Sequence, residues 1–278
     1  MSLKTILVYL NGASRAPTVL EMALGLAARH DSHVVGLHVV PQVSVPAVVP
    51  VEVTGEIIEA ERKALEAEGA SIAEIFKKQT AGMEARTEWR LVRASHFRLS
   101  NIVDTHGRAA DLIIAPQSDP DGGIYQPADI TEDIMMEAGR PVLVVPKSGT
   151  YPTAGSRVLI AWNESREAAR AAFDALPMLV KAEKVTIFTV TENRGRQPEL
   201  PGAEIGTALA RHGVRCEAAS APTDGRTVSE QLRTALKEHR SDLLVMGGYG
   251  HSRFSELIFG GATRFMMQSM PVPVLFSH

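Results

Sequence analysis

The same sequence pattern occurs twice along this chain of 278 residues. The run 111–116 recurs at 242–247, and the run 141–145 recurs at 271–275 with nearly the same offset. The order of the elements is the same in both copies. Because self-similarity at a fixed offset indicates duplicated structural units, the chain is expected to fold as two halves with one architecture.

The first predicted strand of each half follows a basic residue and ends at an asparagine, in the runs 4–11 and 157–163. The offset between these two runs is larger, by about twenty residues, than the offset between the later pairs. The first half therefore contains an insertion, which lies around Pro41 to Thr80.

Short runs rich in β-branched residues alternate with helix-period segments in both halves. The clearest amphipathic segment has Ile58, Leu65, Ile72 and Phe76 on one face. The alternation predicts an α/β fold in which each half is a parallel sheet with helices on both faces. The predicted strands lie at about 5–10, 33–40, 87–93, 111–116 and 141–146, and again at about 157–162, 184–190, 214–219, 242–247 and 272–276.

Turn-forming residues separate the two halves at 147–156, which predicts domains at 1–147 and 156–278. The segment 41–50 is apolar but contains three prolines, so a surface flap is expected, with a lid over a ligand as the alternative. Pro271 and Pro273 restrict ladder bonding in the last strand, which is consistent with a position at a sheet edge but does not set the oligomeric state.

Charge and cysteine content exclude several classes of protein. The 29 Lys+Arg against 32 Asp+Glu leave no broad basic field for a phosphate backbone, so a nucleic acid is not expected as a partner. Cys216 is the only cysteine, so an intrachain disulfide is excluded, and burial in a strand is expected for it. The apolar run 6–10 is too short for a signal peptide or a membrane span. These features predict a cytoplasmic protein that does not enter a membrane.

A set of glycines follows the fourth strand of the second half, with the spacing Gly-x2-Gly-x9-Gly at Gly247, Gly250 and Gly260. Glycines at a strand exit let a phosphate approach the backbone, and Gly260 and Gly261 open a helix whose free N–H groups attract anions. Thr263 adds a hydroxyl group. The alternative is that these glycines only turn the chain and cap the helix.

The position of this motif depends on strand order. Open parallel sheets bind ligands at the carboxyl ends of strands, where the order reverses. A reversal between strands 1 and 4 would bring Asn163 and Gly247 together. The sequence thus predicts an anion site at that point.

The stretch Gly247 to Thr263, together with the strand endings Ala161 to Asn163 and Phe188 to Val190, resembles the nucleotide-binding motif of the universal stress protein family. The resemblance covers the whole chain as two tandem domains. It implies two flavodoxin-like sheets of strand order 3-2-1-4-5, joined as a pseudo-dimer within one polypeptide.

The resemblance also implies roles for individual residues. Gly247 and Gly250 would border the ribose and phosphates, Gly260, Gly261 and Thr263 would bind the phosphate tail, and the Val190 backbone would contact adenine. Ala161, Met246 and Ala262 complete the implied site beside Asn163. The implied ligand is ATP or a related adenine nucleotide, and the accompaniment of Mg²⁺ stays open.

Two positions depart from the family pattern, since Gly261 replaces a serine or threonine and Asn163 replaces an aspartate. The first half departs further, with Pro116 at the position of Gly247 and Asp119 at that of Gly250. The acidic residues from Asp119 to Asp133 would repel a triphosphate unless a metal intervened, and a solvated loop is expected, with a cation site as the alternative. The first half is therefore expected to bind no nucleotide and to act as a structural or regulatory partner.

Other candidate residues have weaker support. His251 and Arg253 lie inside the glycine loop and could contact phosphate, although solvated loop residues have the same pattern. His96 and His106 do not share a ligand face on a helix. The sequence shows no phosphate-binding lysine motif, general base or metal cluster, so any ATP hydrolysis would be slow.

Three hypotheses follow. The first is a stress-responsive nucleotide sensor, and the second is a nucleotide-independent protein-interaction module of the same fold. The third is an enzyme acting on a small phosphorylated substrate in the same cleft. Protein partners and pairing of two chains into a homodimer stay open at the level of sequence.

Overall fold

The computed structural model describes residues 2–43, 51–95, 98–118, 130–152, 154–191, 201–248 and 261–278. Its strands join into one ten-stranded sheet. The strands are β1 Thr5–Tyr9, β2 His33–Val40, β3 Thr87–Arg93, β4 Leu112–Pro116, β5 Val142–Val145, β6 Arg157–Ala161, β7 Lys184–Thr191, β8 Cys216–Pro222, β9 Leu243–Gly247 and β10 Val274–Ser277. The helices are α1 Ala16–His30, α2 Val51–Gln79, α3 Leu99–Gly107, α4 Ile130–Glu137, α5 Arg166–Asp174, α6 Leu176–Leu179, α7 Ala203–Arg211, α8 Val228–Glu238 and α9 Gly261–Gln268, with a 3-10 turn at Glu84–Arg86.

The order of the strands across the sheet is β3-β2-β1-β4-β5-β10-β9-β6-β7-β8. Each half therefore has the order 3-2-1-4-5, and all pairings within a half are parallel. This confirms the α/β class and the flavodoxin-like strand order. All ten predicted strands are present, because buried parallel strands read as short β-branched runs in the sequence.

The halves meet through β5 and β10, which pair antiparallel with Leu143 opposite Leu275. The edge position expected for the last strand holds only within the second half, because in the ten-stranded sheet β10 is bonded to β5 on one side and to β9 on the other. Pro271 and Pro273 cost no ladder bond there because the strand begins only at Val274.

Two apolar layers cover the sheet. One layer contains the buried faces of α1, α2, α5, α6 and α7, and the other contains those of α3, α4, α8 and α9. Each layer contains residues of both halves and is continuous across their junction. The two halves therefore share one sheet and its two apolar layers. The boundary predicted at 147–156 lies between β5 and β6 and stays a prediction.

Helix α2 is packed on the sheet only in its C-terminal part. Ile72 and Phe76 are buried, whereas Ile58 is 38% exposed at the other end of the predicted apolar face. With 29 residues, α2 is about 43 Å long at 1.5 Å per residue, far longer than the strands that it crosses. The predicted flap at 41–50 falls mostly at 44–50, outside the described residues.

Candidate functional site

The carboxyl ends of β6, β7 and β9 lie at one edge of the second half. Strand β6 pairs with β9 up to Ile160 opposite Val245, and with β7 up to Ala161 opposite Phe188. The reversal of strand order predicted between strands 1 and 4 of this half is thus present as the β6–β9 pairing. It is the point at which an open α/β sheet binds ligands.

The predicted site residues on these strands lie at that edge. Met246 is buried at the end of β9, and Ala161 and Val190 are half-buried at the ends of β6 and β7. Because β9 and β10 are parallel, α9 between them runs back along the sheet, and its N-terminus faces the same edge.

The start of α9 presents an open backbone. Among the described residues, no heavy atom lies within 4 Å of a Cβ added at Gly261, while Thr263 is buried and Ala262 is half-buried. The first N–H groups of a helix have no intrahelical acceptor and carry the positive end of the dipole. These amides can therefore bind an anion. Gly250, Gly260, His251, Arg253 and most of the acidic loop 119–133 lie outside the described residues.

A polar turn connects β6 to α5. The Asn163 Oδ1 atom accepts hydrogen bonds from the Ser165 hydroxyl, at 2.8 Å, and from the Ser165 N–H, at 3.3 Å. The Ser165 hydroxyl in turn caps α5 by accepting from the Ala168 N–H at 3.1 Å. Asn163 is exposed, so its carboxamide faces solvent while its oxygen supports the helix cap.

Gly247 has a packing function that the sequence did not reveal. A Cβ at this position would lie 2.7 Å from the Ala168 nitrogen and 2.7 Å from the Cβ of Glu167. No real Cβ makes contacts that short, so the glycine lets the first turn of α5 approach the end of β9. Gly247 is thus part of the architecture of this edge, whatever binds there.

Glu167 is the charged group nearest to this close approach. Burial opposes its ionisation, but the hydrogen bond from Arg166, its own backbone N–H and the nearby His278 hold the pKa of the carboxyl below its usual value. The residue is 3% exposed and paired with Arg166. Glu167 is therefore ionised, and its negative charge is balanced by the Arg166 guanidinium. This pairing makes it a poor ligand for Mg²⁺.

The corresponding edge of the first half is occupied by its own side chains. The Glu68 carboxylate accepts the Ala13 N–H at 2.7 Å, just after β1, and the Thr131 hydroxyl donates to the Pro116 carbonyl at 2.9 Å. The exposed Glu68 carboxylate thus occupies the Ala13 amide just after β1. This arrangement agrees with the expectation that the first half binds no nucleotide, which stays a prediction.

Sequence reasoning missed Glu68, Glu167 and His278. His278 follows β10, and its Nδ1 atom lies 3.1 Å from the Gly248 carbonyl. Isolated glutamates and a histidine after a strand carry no motif, so only the tertiary structure could identify them.

Within the described ranges, no group of three or more His, Cys, Asp or Glu side chains could hold a metal ion.

Two smaller expectations concern Cys216 and His106. Cys216 is the first residue of β8 and is half-buried, and burial raises the pKa of its thiol, which disfavours the reactive thiolate. His106 in α3 lies 3.0 Å from the Arg90 guanidinium, and burial lowers the pKa of its imidazole. His96 lies outside the described residues.

In the segments that the structure describes, no helix is both long and apolar enough to cross a bilayer.

The fold defines a class of protein: two flavodoxin-like half-sheets, with the N-terminus of a helix at the crossover of the second half. The model of the universal stress protein family matches residues 2–146, just over half of the chain. The chain therefore belongs to the universal stress protein family.

Solved structures of similar fold cover the whole chain. A universal stress protein from Archaeoglobus fulgidus DSM 4304 is 16% identical, with a TM-score of 0.69 over 98% of this chain and 95% of that chain. A functionally unknown protein from Pseudomonas aeruginosa PAO1 is 15% identical, with a TM-score of 0.53 over 99% and 92%. At these identities the likeness shows a shared fold. No curated protein sequence matches the chain.

Proposed function

We propose that the second half binds ATP or a related adenine nucleotide and that the protein acts as a ligand sensor in a stress response in the cytoplasm. One observation carries the proposal: at the β6–β9 crossover, an exposed polar residue, Asn163, and an unobstructed helix start at Gly261 occupy the same edge of the sheet. The resemblance of Gly247 to Thr263 to the family's nucleotide motif supports the choice of ligand.

The groups at this edge fit a nucleotide phosphate in chemistry and space. The amides of Gly261 to Thr263 supply donors, and the missing Cβ at Gly261 leaves room for the phosphate oxygens. The Asn163 carboxamide could hydrogen-bond a ribose hydroxyl. Glu167, the strongly buried carboxylate at the start of α5, is paired with Arg166, so it does not oppose the phosphate with an unbalanced charge.

Titration of the full chain with a fluorescent ATP analogue tests this function. Saturable binding that unlabelled ATP displaces is expected, and Gly250→Asp should weaken it at least tenfold, because the resemblance implies that Gly250 borders the phosphates, which a carboxylate would repel. The titration is run with Mg²⁺ and with EDTA to settle the requirement for the metal. Binding that Gly250→Asp leaves unchanged would remove the glycine loop from the site.

A gain of affinity is expected for Gly261→Ser, which restores the hydroxyl of the family pattern. The new Cβ meets no described atom within 4 Å, and one added hydrogen bond to a charged phosphate contributes about 1.5–3 kcal/mol, so binding should tighten by about ten- to 150-fold. Gly55→Ser is the matched control, since Gly55 in α2 also has nothing within 4 Å of an added Cβ. Equal affinities of the two variants would contradict phosphate binding at this helix start.

The second candidate function is a nucleotide-independent interaction module of the same fold. The packing of Gly247 against α5 favours it, because that glycine is needed even without a ligand. This alternative predicts that the freshly purified protein releases no adenine-containing molecule on denaturation and that the fluorescent analogue shows no saturable binding.

A further inference from the structure

Gln117 connects the first half to the helix that carries the proposed phosphate amides. Gln117 is the residue directly after β4, and it is 5% exposed. The Gln117 Nε2 atom donates a hydrogen bond of 2.7 Å to the carbonyl of Met267, a residue in the second half of the chain. The Oε1 atom accepts the Lys147 N–H at 2.9 Å, and the backbone N–H of Gln117 donates to Val145. The carboxamide is thus fixed at both of its ends.

The acceptor of this bond is a carbonyl at a helix end. Met267 lies in the last turn of α9, where carbonyls have no intrahelical donor. Gln117 supplies the missing donor, so the first half caps the C-terminus of α9. A helix of eight residues is only about 12 Å long and is marginal in isolation, so contacts at one end influence its placement at the other.

The first half also contacts the start of the glycine motif, at Gly248. The Met135 sulfur of α4 lies 3.0 Å from the position of a Cβ added at Gly248, which follows β9. Gly248 and Gln117 occupy equivalent positions in the repeat, so each half contacts the other at the residue after its fourth strand. Gln117 of the first half forms a hydrogen bond with Met267 of the second half. At Gly248 of the second half, Met135 of the first half packs in the space that a side chain would occupy.

We propose that Gln117 is a positioning residue through which the first half holds α9, and with it the amides of Gly261 to Thr263, in place for the phosphate. The inference rests on the proposed function of the second half and deepens it by assigning a role to the half that lacks the motif. Gln117 itself does not touch the ligand.

Two substitutions separate the two hydrogen bonds of Gln117. Gln117→Met removes both bonds at similar length, whereas Gln117→Glu keeps the acceptor for Lys147 but places a carboxylate oxygen against the Met267 carbonyl. Gln79→Met is the matched control, because Gln79 donates to the Pro17 carbonyl at 3.2 Å within the first half. If Gln117→Met does not fold, Gln117→Asn, which shortens the side chain by one methylene group, replaces it.

Two measurements are made on each full-length variant: affinity for the fluorescent ATP analogue and amide hydrogen exchange of α9 without nucleotide. Loss of the cap should weaken binding by about five- to tenfold and speed exchange in α9, since a net hydrogen bond contributes about 1 kcal/mol. Gln117→Glu should have at least as large an effect, and Gln79→Met should have neither effect.

The outcomes distinguish this inference from the proposed function. If the wild type binds the analogue and Gln117→Met or Gln117→Glu leaves the affinity unchanged, the positioning role is overturned even where thermal stability falls. If the wild type does not bind, the proposed function fails, and hydrogen exchange decides the positioning role. Unchanged exchange of α9 in the variants would then overturn it.

Discussion

Gly247→Ala is expected to lower the free energy of unfolding by about 2 kcal/mol, because the added Cβ would lie 2.7 Å from backbone atoms of Glu167 and Ala168. Overpacking of a tight contact costs about 1–3 kcal/mol, and here the obstacle is the backbone of α5 rather than a flexible side-chain tip. Urea denaturation followed by circular dichroism measures the change.

Gly55→Ala in α2 is the control for this substitution. Gly55 lies in a helix with open space around its Cβ position, so alanine should stabilise the protein there by up to about 1 kcal/mol. Changes of opposite sign at the two glycines are therefore predicted. Equal unfolding midpoints for the wild type and Gly247→Ala would show that α5 does not pack against β9 as described.

Asp104→Asn is expected to give the largest effect of pH on stability. Asp104 in α3 is 1% exposed, and its Oδ1 atom has no hydrogen-bond partner among the residues that the structure describes. Burial, followed by the charges of Glu137 and Asp133 on α4, raises the pKa of this carboxyl to about 7, although Arg108 and Arg98 oppose the shift. Tyr9, the titratable residue that β1 contributes to the same layer, stays neutral because burial raises its pKa further.

The sign of the pH effect follows from the raised pKa. Between the ordinary pKa of 3.8 and about 7, the folded state keeps a proton that the unfolded state has lost. The contribution of the Asp104 carboxyl to the free energy of unfolding is therefore most favourable below pH 3.8. It decreases by about 1.4 kcal/mol per pH unit until about pH 7. Asparagine cannot ionise, so Asp104→Asn should be more stable than the wild type at about pH 8, by up to about 4 kcal/mol.

Denaturation curves of both proteins between about pH 5 and pH 8 test this expectation. The difference between them should grow as the pH rises. Asp31→Asn is the control, since Asp31 forms an exposed ion pair with Arg86, and such pairs contribute about 0–1 kcal/mol. Parallel stability profiles for the wild type and Asp104→Asn would mean that the carboxyl is solvated in the folded protein.

The sequence predicted the strands because buried parallel strands leave a local trace, whereas their order across each half was implied only by the resemblance to the family. Buried parallel strands read as short β-branched runs, and the repeat placed each run in the same sequence of elements. The central position of β10 left no such trace. It results from antiparallel pairing with β5 in the other half of the chain, and the two prolines before Val274 are compatible with an edge or a centre.

The candidate site was predictable only as a set of strand ends and glycines. Asn163 and Gly247 follow strands whose adjacency the fold class dictates, so their proximity could be expected. The packing of Gly247 depends on how closely α5 approaches, and the cap at Met267 depends on a single glutamine in the other half. Contacts of this kind involve residue types that occur anywhere in a sequence, so they become visible only in three dimensions.

The antiparallel β5–β10 seam lies within one polypeptide, so the local concentration of one half around the other is set by the covalent connection and not by the amount of protein in solution. Diluting the sample to nanomolar levels would not separate the glutamine donor from the helix that it caps. A ligand affinity that depends on this seam is therefore the same in scarce and abundant protein, which an assembly of two separate chains could not guarantee.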